Sequence, residues 1–319
     1  VQYVTAHPDG ILAIDSGYGR AGLAAIHLVI QDGLVAVVDT GTNASVPRIL
    51  SALAAAGLPP ESVIWVMLTH IHLDHAGGAG SLMCALPNAR LLVHPRGVRH
   101  MVDPTRLWNA TAEVYSPEQA FAMYGRLAPV AAERIIAAED GLVVEMGARR
   151  FRIIDTPGHA RHHIAIWDET ARAIFSGDAF GVSYRDLDTG GRAFVFPTTS
   201  PSQFDPQAMH VSINRMLGFE PEAMYLTHFS RVTDVPRLAA DLHRLIDTEV
   251  AVASAARGDG VARHVEILAG LEQIVREEAE RQGWTLPESE VFELLQLDLE
   301  LNAQGLGVWL DECREIATA

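Results

Sequence analysis

A chain of 319 residues that is 49% hydrophobic and 20% charged has enough apolar side chain for a large core, which excludes a disordered polypeptide. The formal net charge of -16 sets its surface against phosphate backbones and anionic lipid heads except where a local basic patch intervenes, so neither nucleic acid nor a membrane is an expected partner. Two cysteines, Cys84 and Cys313, are too few for a disulfide framework and lack Cys-x-x-Cys spacing, which favours a reducing cytoplasm. Apolar runs such as Val63 to Leu68 fall far short of the roughly 20 residues that span a bilayer. No basic n-region precedes an apolar stretch at the start, and Val1 in first place is compatible with a trimmed leader.

In chain order, apolar runs bounded by turn residues predict strands at Gly22 to Ile30 and Leu34 to Asp39. A helix comes next from Pro47 to Ala56, stopped by Gly57. Further strands are expected at Val63 to Thr69, Arg90 to His94, Phe151 to Asp155, His163 to Trp167 and Ala171 to Ser176. Thr156-Pro157-Gly158 reads as a loop and Asp168-Glu169-Thr170 as a hairpin turn. A second helix runs from Pro206 to Leu217, ending at Gly218, and the apolar stretch Ala223 to Leu226 adds a strand. Beyond about Arg237 the strand signals stop, and helices are predicted at Arg237 to Ala256, Val261 to Gln282 and Glu288 to roughly Gln304, with Thr285 to Glu290 as a junction. The acidic positions of this tail read as a solvated helix face. Such an order is that of an α/β protein whose sheets are covered by helices.

The chemistry concentrates in Thr69-His70-Ile71-His72-Leu73-Asp74-His75-Ala76-Gly77-Gly78, directly after a predicted strand. In an extended loop His70 and His72 project to one side, whereas Asp74 and His75 fall on the following turn and face a second position. One short loop thus serves two cations, with imidazole and carboxylate donors suited to zinc, iron or manganese. Four ligands cannot fill two sites, and partners stand after other apolar runs: His159 in Pro157-Gly158-His159, Asp178 in Gly177-Asp178, and His228 in Thr227-His228. If each lies just past a strand, one sheet edge carries all the ligands. His162 and His163, at adjacent positions on a strand, are expected to play supporting rather than ligating roles.

His-x-His-x-Asp-His followed by Pro-Gly-His, Gly-Asp and Thr-His resembles the metallo-β-lactamase superfamily from about Leu23 to His228. By that resemblance His70, His72 and His159 bind a first metal, Asp74, His75 and His228 a second, and Asp178 bridges both. Asp39, in Val38-Asp39-Thr40-Gly41, matches a residue that supports the site. The implied fold is a four-layer αβ/βα sandwich, with residues 1–236 as the catalytic domain and 237–319 as a C-terminal helical extension. Two divalent metal ions, zinc by default, would acidify a bridging water, and Asp74 and Asp178 are the candidate catalytic carboxylates. Asp74 would orient that water and shuttle its proton.

An aspartate at 178 is similar to thioesterases, lactonases and phosphodiesterases and unlike true β-lactamases, which carry Cys or Ser. The segment after Asp178 differs from the basic, Cys-containing loop of glyoxalase II-type thioesterases. The expectation is hydrolysis of an ester-type bond, lactone or thioester, in a medium-sized hydrophobic small molecule, with a homodimer conceivable. Phe194, Phe196 and Pro197 beside Arg185 and Arg192 read as an apolar wall with an anion anchor. The insertion Asp103 to Leu127, carrying Trp108, Tyr115, Phe121 and Tyr124, would roof the cleft with the helical tail. Tyr184 would donate to a substrate oxyanion or simply pack. Two alternatives are an effector whose acidic tail binds a partner protein over a structural metal site, and a mononuclear iron dioxygenase.

Overall fold

The computed structural model describes residues 1–199 and 203–318. Seven strands form one sheet in chain order: β1 (Val4–Ala6), β2 (Ile11–Asp15), β3 (Ala25–Gln31), β4 (Leu34–Val38), β5 (Val63–Met67), β6 (Arg90–Val93) and β7 (Ile135–Ala137). Six more form the second: β8 (Val143–Met146), β9 (Arg149–Asp155), β10 (Ile164–Asp168), β11 (Ala173–Gly177), β12 (Ala223–Leu226) and β13 (Ser230–Val232), the last at one edge and β8 at the other. The helices are α1 (Val46–Ala55), α2 (Leu73–Ala76), α3 (Ala79–Ala85), α4 (Val98–Val102), α5 (Thr105–Tyr115), α6 (Pro117–Tyr124), α7 (Pro206–Leu217), α8 (Val235–Ala255), α9 (Gly260–Gln282) and α10 (Glu288–Thr318).

Strand alternation sorts side chains into layers. Ala36 and Val38 of β4 point to the inter-sheet core with Ile164 and Ile166 of β10, while Val35 and Val37 meet α1 and α3 on the outside. Ala165 and Trp167 of β10 face the opposite way, into a core shared with α7 to α10. Both sheets are therefore buried on both faces, which is why their strands read as near-continuous apolar runs. The result is the expected helix, sheet, sheet, helix sandwich.

Some predicted boundaries moved. The strand expected from Gly22 starts at Ala25, because the Leu23 carbonyl turns away to accept a hydrogen bond from His228 Nδ1 at 2.8 Å. The last helix continues past Gln304 to Thr318, with Leu306 buried in the core shared by α7 to α10 and Trp309 and Leu310 packed against it. Strands β1, β2, β7, β8 and β13 had no sequence counterpart; β1, β7 and β13 are three residues each, too short for period-two alternation to register. No helix among the described residues is long and apolar enough to cross a membrane.

Candidate metal centre and its cavity

All seven candidate ligands come together, but from both sheets rather than one sheet edge. His70, His72, Asp74 and His75 come after β5 of the first sheet, while His159, Asp178 and His228 come after β9, β11 and β12 of the second. Hydrogen bonds between the sheets close this end: Ile164 N donates to the Thr69 carbonyl at 2.7 Å and Ala25 N to that of Thr227 at 2.7 Å. His72 is the last extended residue before α2, with φ -63° and ψ 150°, so Asp74 and His75 lie in the helical turn beyond it. That change of direction splits the loop between two positions.

Glycine precedes two of these residues for a steric reason. Gly177, at φ +52°, would bring a Cβ within 2.6 Å of His163 Nε2 and 2.8 Å of Thr69 Cβ. Gly158, at φ +132°, would bring one within 2.5 Å of the Met209 backbone. Only a residue without Cβ lets the chain turn there and aim Asp178 and His159 inward.

In the first group His72 Nδ1 stands 2.9 Å from His70 Nε2 and 3.1 Å from His159 Nε2. Asp178 Oδ2 lies 3.6 Å from His159 Nε2 and 3.9 Å from His70 Nε2. In the second, Asp74 Oδ2 is 3.4 Å from both His75 Nε2 and His228 Nε2. The same Asp178 oxygen is 3.5 Å from His75 Nε2 and 3.8 Å from His228 Nε2. Donors about 2.0–2.1 Å from a tetrahedral cation stand about 3.3 Å from one another, so both groups have the dimensions of a metal site.

The surrounding hydrogen bonds aim these rings. His75 Nδ1 meets Asp39 Oδ2 at 3.0 Å, His228 Nδ1 the Leu23 carbonyl at 2.8 Å, His159 Nδ1 the Thr198 hydroxyl at 2.9 Å, and His70 Nδ1 the Thr69 hydroxyl at 3.2 Å. With Nδ1–H held by an acceptor, each Nε2 keeps its lone pair for the centre. Asp39, at φ +58°, also accepts from Thr69 N at 2.8 Å and from the Thr227 hydroxyl at 2.9 Å, joining both sheets beneath the site. His75 Nε2 and Asp178 Oδ1 are buried with no hydrogen-bond partner among the described residues. Buried polar atoms are rarely left so, and a cation answers the deficit.

Electrostatics point the same way. Burial, reinforced by His75 and other neighbouring imidazoles, holds His70 well below the usual histidine value, in the neutral form a cation requires. Burial would lower His75 and His228 too, but the carboxylates of Asp178 and Asp74 outweigh it, raising His75 well above normal and His228 to about 9. Burial opposes ionisation of Asp178, and the charges of His75 and His228 overcome it, holding that carboxyl well below its ordinary range. Two carboxylates among buried rings demand positive charge, supplied by protons or by divalent metal.

The metallo-beta-lactamase superfamily model matches residues 19–228. The chain belongs to this superfamily. It is 24% identical over 208 residues to the metallo-β-lactamase fold-containing protein ST1585 of Sulfurisphaera tokodaii, covering 65% of this chain and 72% of that protein. The crystal structure of ST1585 superposes with a TM-score of 0.65 at 21% identity over 94% of this chain and 99% of its own, so the likeness in fold extends beyond residue 228. A hydroxyacylglutathione hydrolase of Stenotrophomonas maltophilia is 32% identical over 152 residues, 48% of this chain and 44% of that one. The acyl-coenzyme A thioesterase MBLAC2 of Bos taurus is 27% identical over 179 residues, 53% and 63% of the two chains. The matches thus span 44% and 63% of those two enzymes, less than two thirds of either.

In this superfamily member the centre forms the floor of a cavity of about 1220 Å³, lined by His72, Asp74, His159, Asp178 and His228. Its walls are Tyr18 and Leu23, the α5–α6 hairpin through Leu107, Met123 and Tyr124, and the tail through Leu297, Asp298, Leu301 and Asn302 of α10. Insertion and tail do roof the cleft, as expected.

Several details differ from the sequence expectation. Phe194 and Phe196 do not line the cavity; they are buried in the core shared with α8 to α10, Phe194 against Trp284 at 4.7 Å between ring centroids. Arg185 donates to the Ser183 carbonyl and pairs with Asp188 at 3.2 Å, and it borders, with Arg192, a separate small hollow. Neither arginine is an anchor in this cavity. Phe121 is 59% exposed, Trp108 is not part of the lining, and the side chain of Tyr115 lies outside the described residues. Tyr184 lines the cavity but spends its hydroxyl on Asp298, at 3.0 Å. His163 precedes β10, accepting from Asp178 N at 3.2 Å and meeting the Thr156 hydroxyl at 2.8 Å; it orients Asp178. His162 instead faces the cavity. Reading single elements missed Asp298 and Asn302 of the tail, which carry no local motif.

Proposed function

We propose that the chain is a dinuclear metallohydrolase cleaving an ester-type bond, lactone or thioester, of a medium-sized substrate with an apolar portion. The observation that carries the reading is the position of Asp178 Oδ2, within 3.5–3.9 Å of the ring nitrogens of His70, His75, His159 and His228. One carboxylate oxygen within reach of both donor groups supports the reading that His70, His72 and His159 would hold one cation and Asp74, His75 and His228 a second, with Asp178 available to both. Zinc is the metal we propose, for its affinity for imidazole and carboxylate donors.

When bound there, divalent cations supply a water acidified towards neutral pH and Lewis-acid polarisation of a carbonyl. The chain's own groups do the rest. Asp74 keeps its Oδ2 beside His75 and His228, and its other oxygen is available to orient water and carry a proton. His163, through the Asp178 amide, and Thr198, through His159 Nδ1, keep the donors from rotating. Leu107, Met123, Leu297 and Leu301 hold the apolar part of the substrate and exclude water around it.

The names of the hydroxyacylglutathione hydrolase and acyl-coenzyme A thioesterase relatives support ester or thioester chemistry. Burial of the apolar faces of α8 to α10 in the main core favours a substrate-facing role for the tail over a free partner-binding arm. The test is elemental analysis of the purified protein together with hydrolysis of an acyl lactone, an acyl thioester and a phosphodiester before and after chelation. Two metals per chain and chelator-sensitive ester cleavage are expected; one iron, or none, without turnover would overturn the reading.

A further inference from the structure

The cavity is unevenly charged. From the end of β6 into α5, and on the loop after His159, Arg96, Arg99, Arg106 and Arg161 line it, with His100 and His162 beside them. None of the four guanidinium groups forms an ion pair among the described residues, whereas Arg149, Arg172, Arg237 and Arg263 elsewhere each meet a carboxylate. Shortage of partners is not the cause: the chain has 40 Asp and Glu for 24 basic residues, every one an arginine. Four arginines from three segments, none ion-paired among the described residues, around one cavity of a chain with net charge -16, are a local basic patch at the mouth of the candidate metal centre.

Guanidinium forks bind phosphate oxygens bidentately, and a single carboxylate would occupy no more than one or two of them. The volume of about 1220 Å³ exceeds what a short acyl chain fills. Leu107, Met123, Leu297 and Leu301 offer the acyl portion a separate apolar wall.

Building on the ester-hydrolase reading above, we infer that the substrate is an acyl thioester or ester whose head carries two or more phosphate groups. The phosphates lie on Arg96, Arg99, Arg106 and Arg161, and the acyl chain lies against the leucines. One water is consumed: its oxygen bonds to the acyl carbon, the bond to sulfur or oxygen breaks with its electron pair leaving on the head group, one water proton passes to that group, and the other is released to solvent. The products are a carboxylate and a free phosphorylated thiol or alcohol.

The test compares octanoyl-coenzyme A with S-octanoyl-N-acetylcysteamine, the same acyl group on an uncharged thiol. The zinc-loaded parent chain is set beside Arg96→Gln/Arg99→Gln and Arg106→Gln/Arg161→Gln double variants. Arg90→Gln, an exposed arginine outside the cavity, serves as control. The four lining arginines are exposed enough that the variants fold. The ratio of kcat/KM for the two thioesters should favour the phosphorylated one in the parent. Each double variant should lower that ratio about tenfold, chiefly through KM, and added salt should lower it further; Arg90→Gln should keep it. Calorimetric binding of free coenzyme A reads the same site without turnover. Equal cleavage of both thioesters, or a ratio and a coenzyme A affinity indifferent to the arginines, overturns the inference while leaving the hydrolase reading intact. Arginine-dependent coenzyme A binding with no hydrolysis of either thioester would uphold the anion site and sink the hydrolase reading.

Discussion

Tyr184 and Asp298, 114 positions apart, meet at the cavity wall, where the phenol hydroxyl donates to both carboxylate oxygens at 3.0 and 3.1 Å. Arg20 stacks over the same phenol ring at 4.3 Å from its centroid. Through this pair α10 is fastened beside the candidate metal centre, and Asn302, one turn on, accepts from Thr199 N at 2.9 Å to hold the loop that carries Thr198. The tail is thus part of the site. Burial, only partly offset by His228 and the Tyr184 hydroxyl, pushes the Asp298 carboxyl up to about 6.

Tyr184→Phe should therefore destabilise the protein in a pH-dependent way. At pH 8, where Asp298 is ionised, loss of a hydrogen bond to a charged acceptor costs about 1.5–3 kcal/mol; at pH 5, with the carboxyl protonated, the loss falls to about 1 kcal/mol. Urea unfolding at the two pH values checks this, and an equal loss at both would show that Asp298 does not titrate between them.

Asp298→Asn tests the other partner. A carboxyl whose folded value is raised from 3.8 to about 6 binds more protons folded than unfolded, so its contribution to stability declines as pH rises through that window. The variant should gain on the parent between pH 4 and pH 7, by on the order of 2 kcal/mol. Thermal melts across that range should show the midpoint difference rising with pH; a flat difference contradicts the assignment.

Asp39→Asn keeps the shape and tolerates the φ of +58° but replaces a carboxylate that serves His75, Thr69 and Thr227. Metal affinity should fall about 10- to 100-fold, as is usual when the partner of a ligating imidazole is altered. A competition titration against a chromophoric chelator measures it. Unchanged affinity would reduce Asp39 to a joint between the sheets.

Metal binding should release protons. His75 and His228 are raised, the latter to about 9, so both are protonated in the metal-free protein near neutral pH, and a cation must displace those protons. Apparent affinity should increase with pH up to about 9. Calorimetry in buffers of different ionisation heat should give a release of at least about one proton per chain at pH 7.5. Zinc should also raise the melting temperature, and chelation lower it.

Much of this protein was legible in residue order. His70, His72, Asp74, His75, His159, Asp178 and His228 are short-range features, each beside a strand whose apolar run survives burial on both faces, and the structure gathers all seven. The presence of helices α7 and α8 to α10 was equally plain, though α10 runs on to Thr318 beyond its expected end. The three-residue strands were not, because so few residues show no period and are held by their neighbours in the sheet.

Sequence by itself named the candidate donors of the floor and the kind of fold that gathers them. Only tertiary structure decided the walls. Arg185 and Arg192 look from their order like an anion anchor and turn away from the cavity, whereas Arg96, Arg99, Arg106 and Arg161, unremarked in the sequence, converge on it. The reason is physical: periodicity and capping report whether a residue is buried and what its near neighbours require. Which exposed side chains from the loop after β6, α4, α5, the His159 loop and α10 share one cavity depends on how separate layers pack.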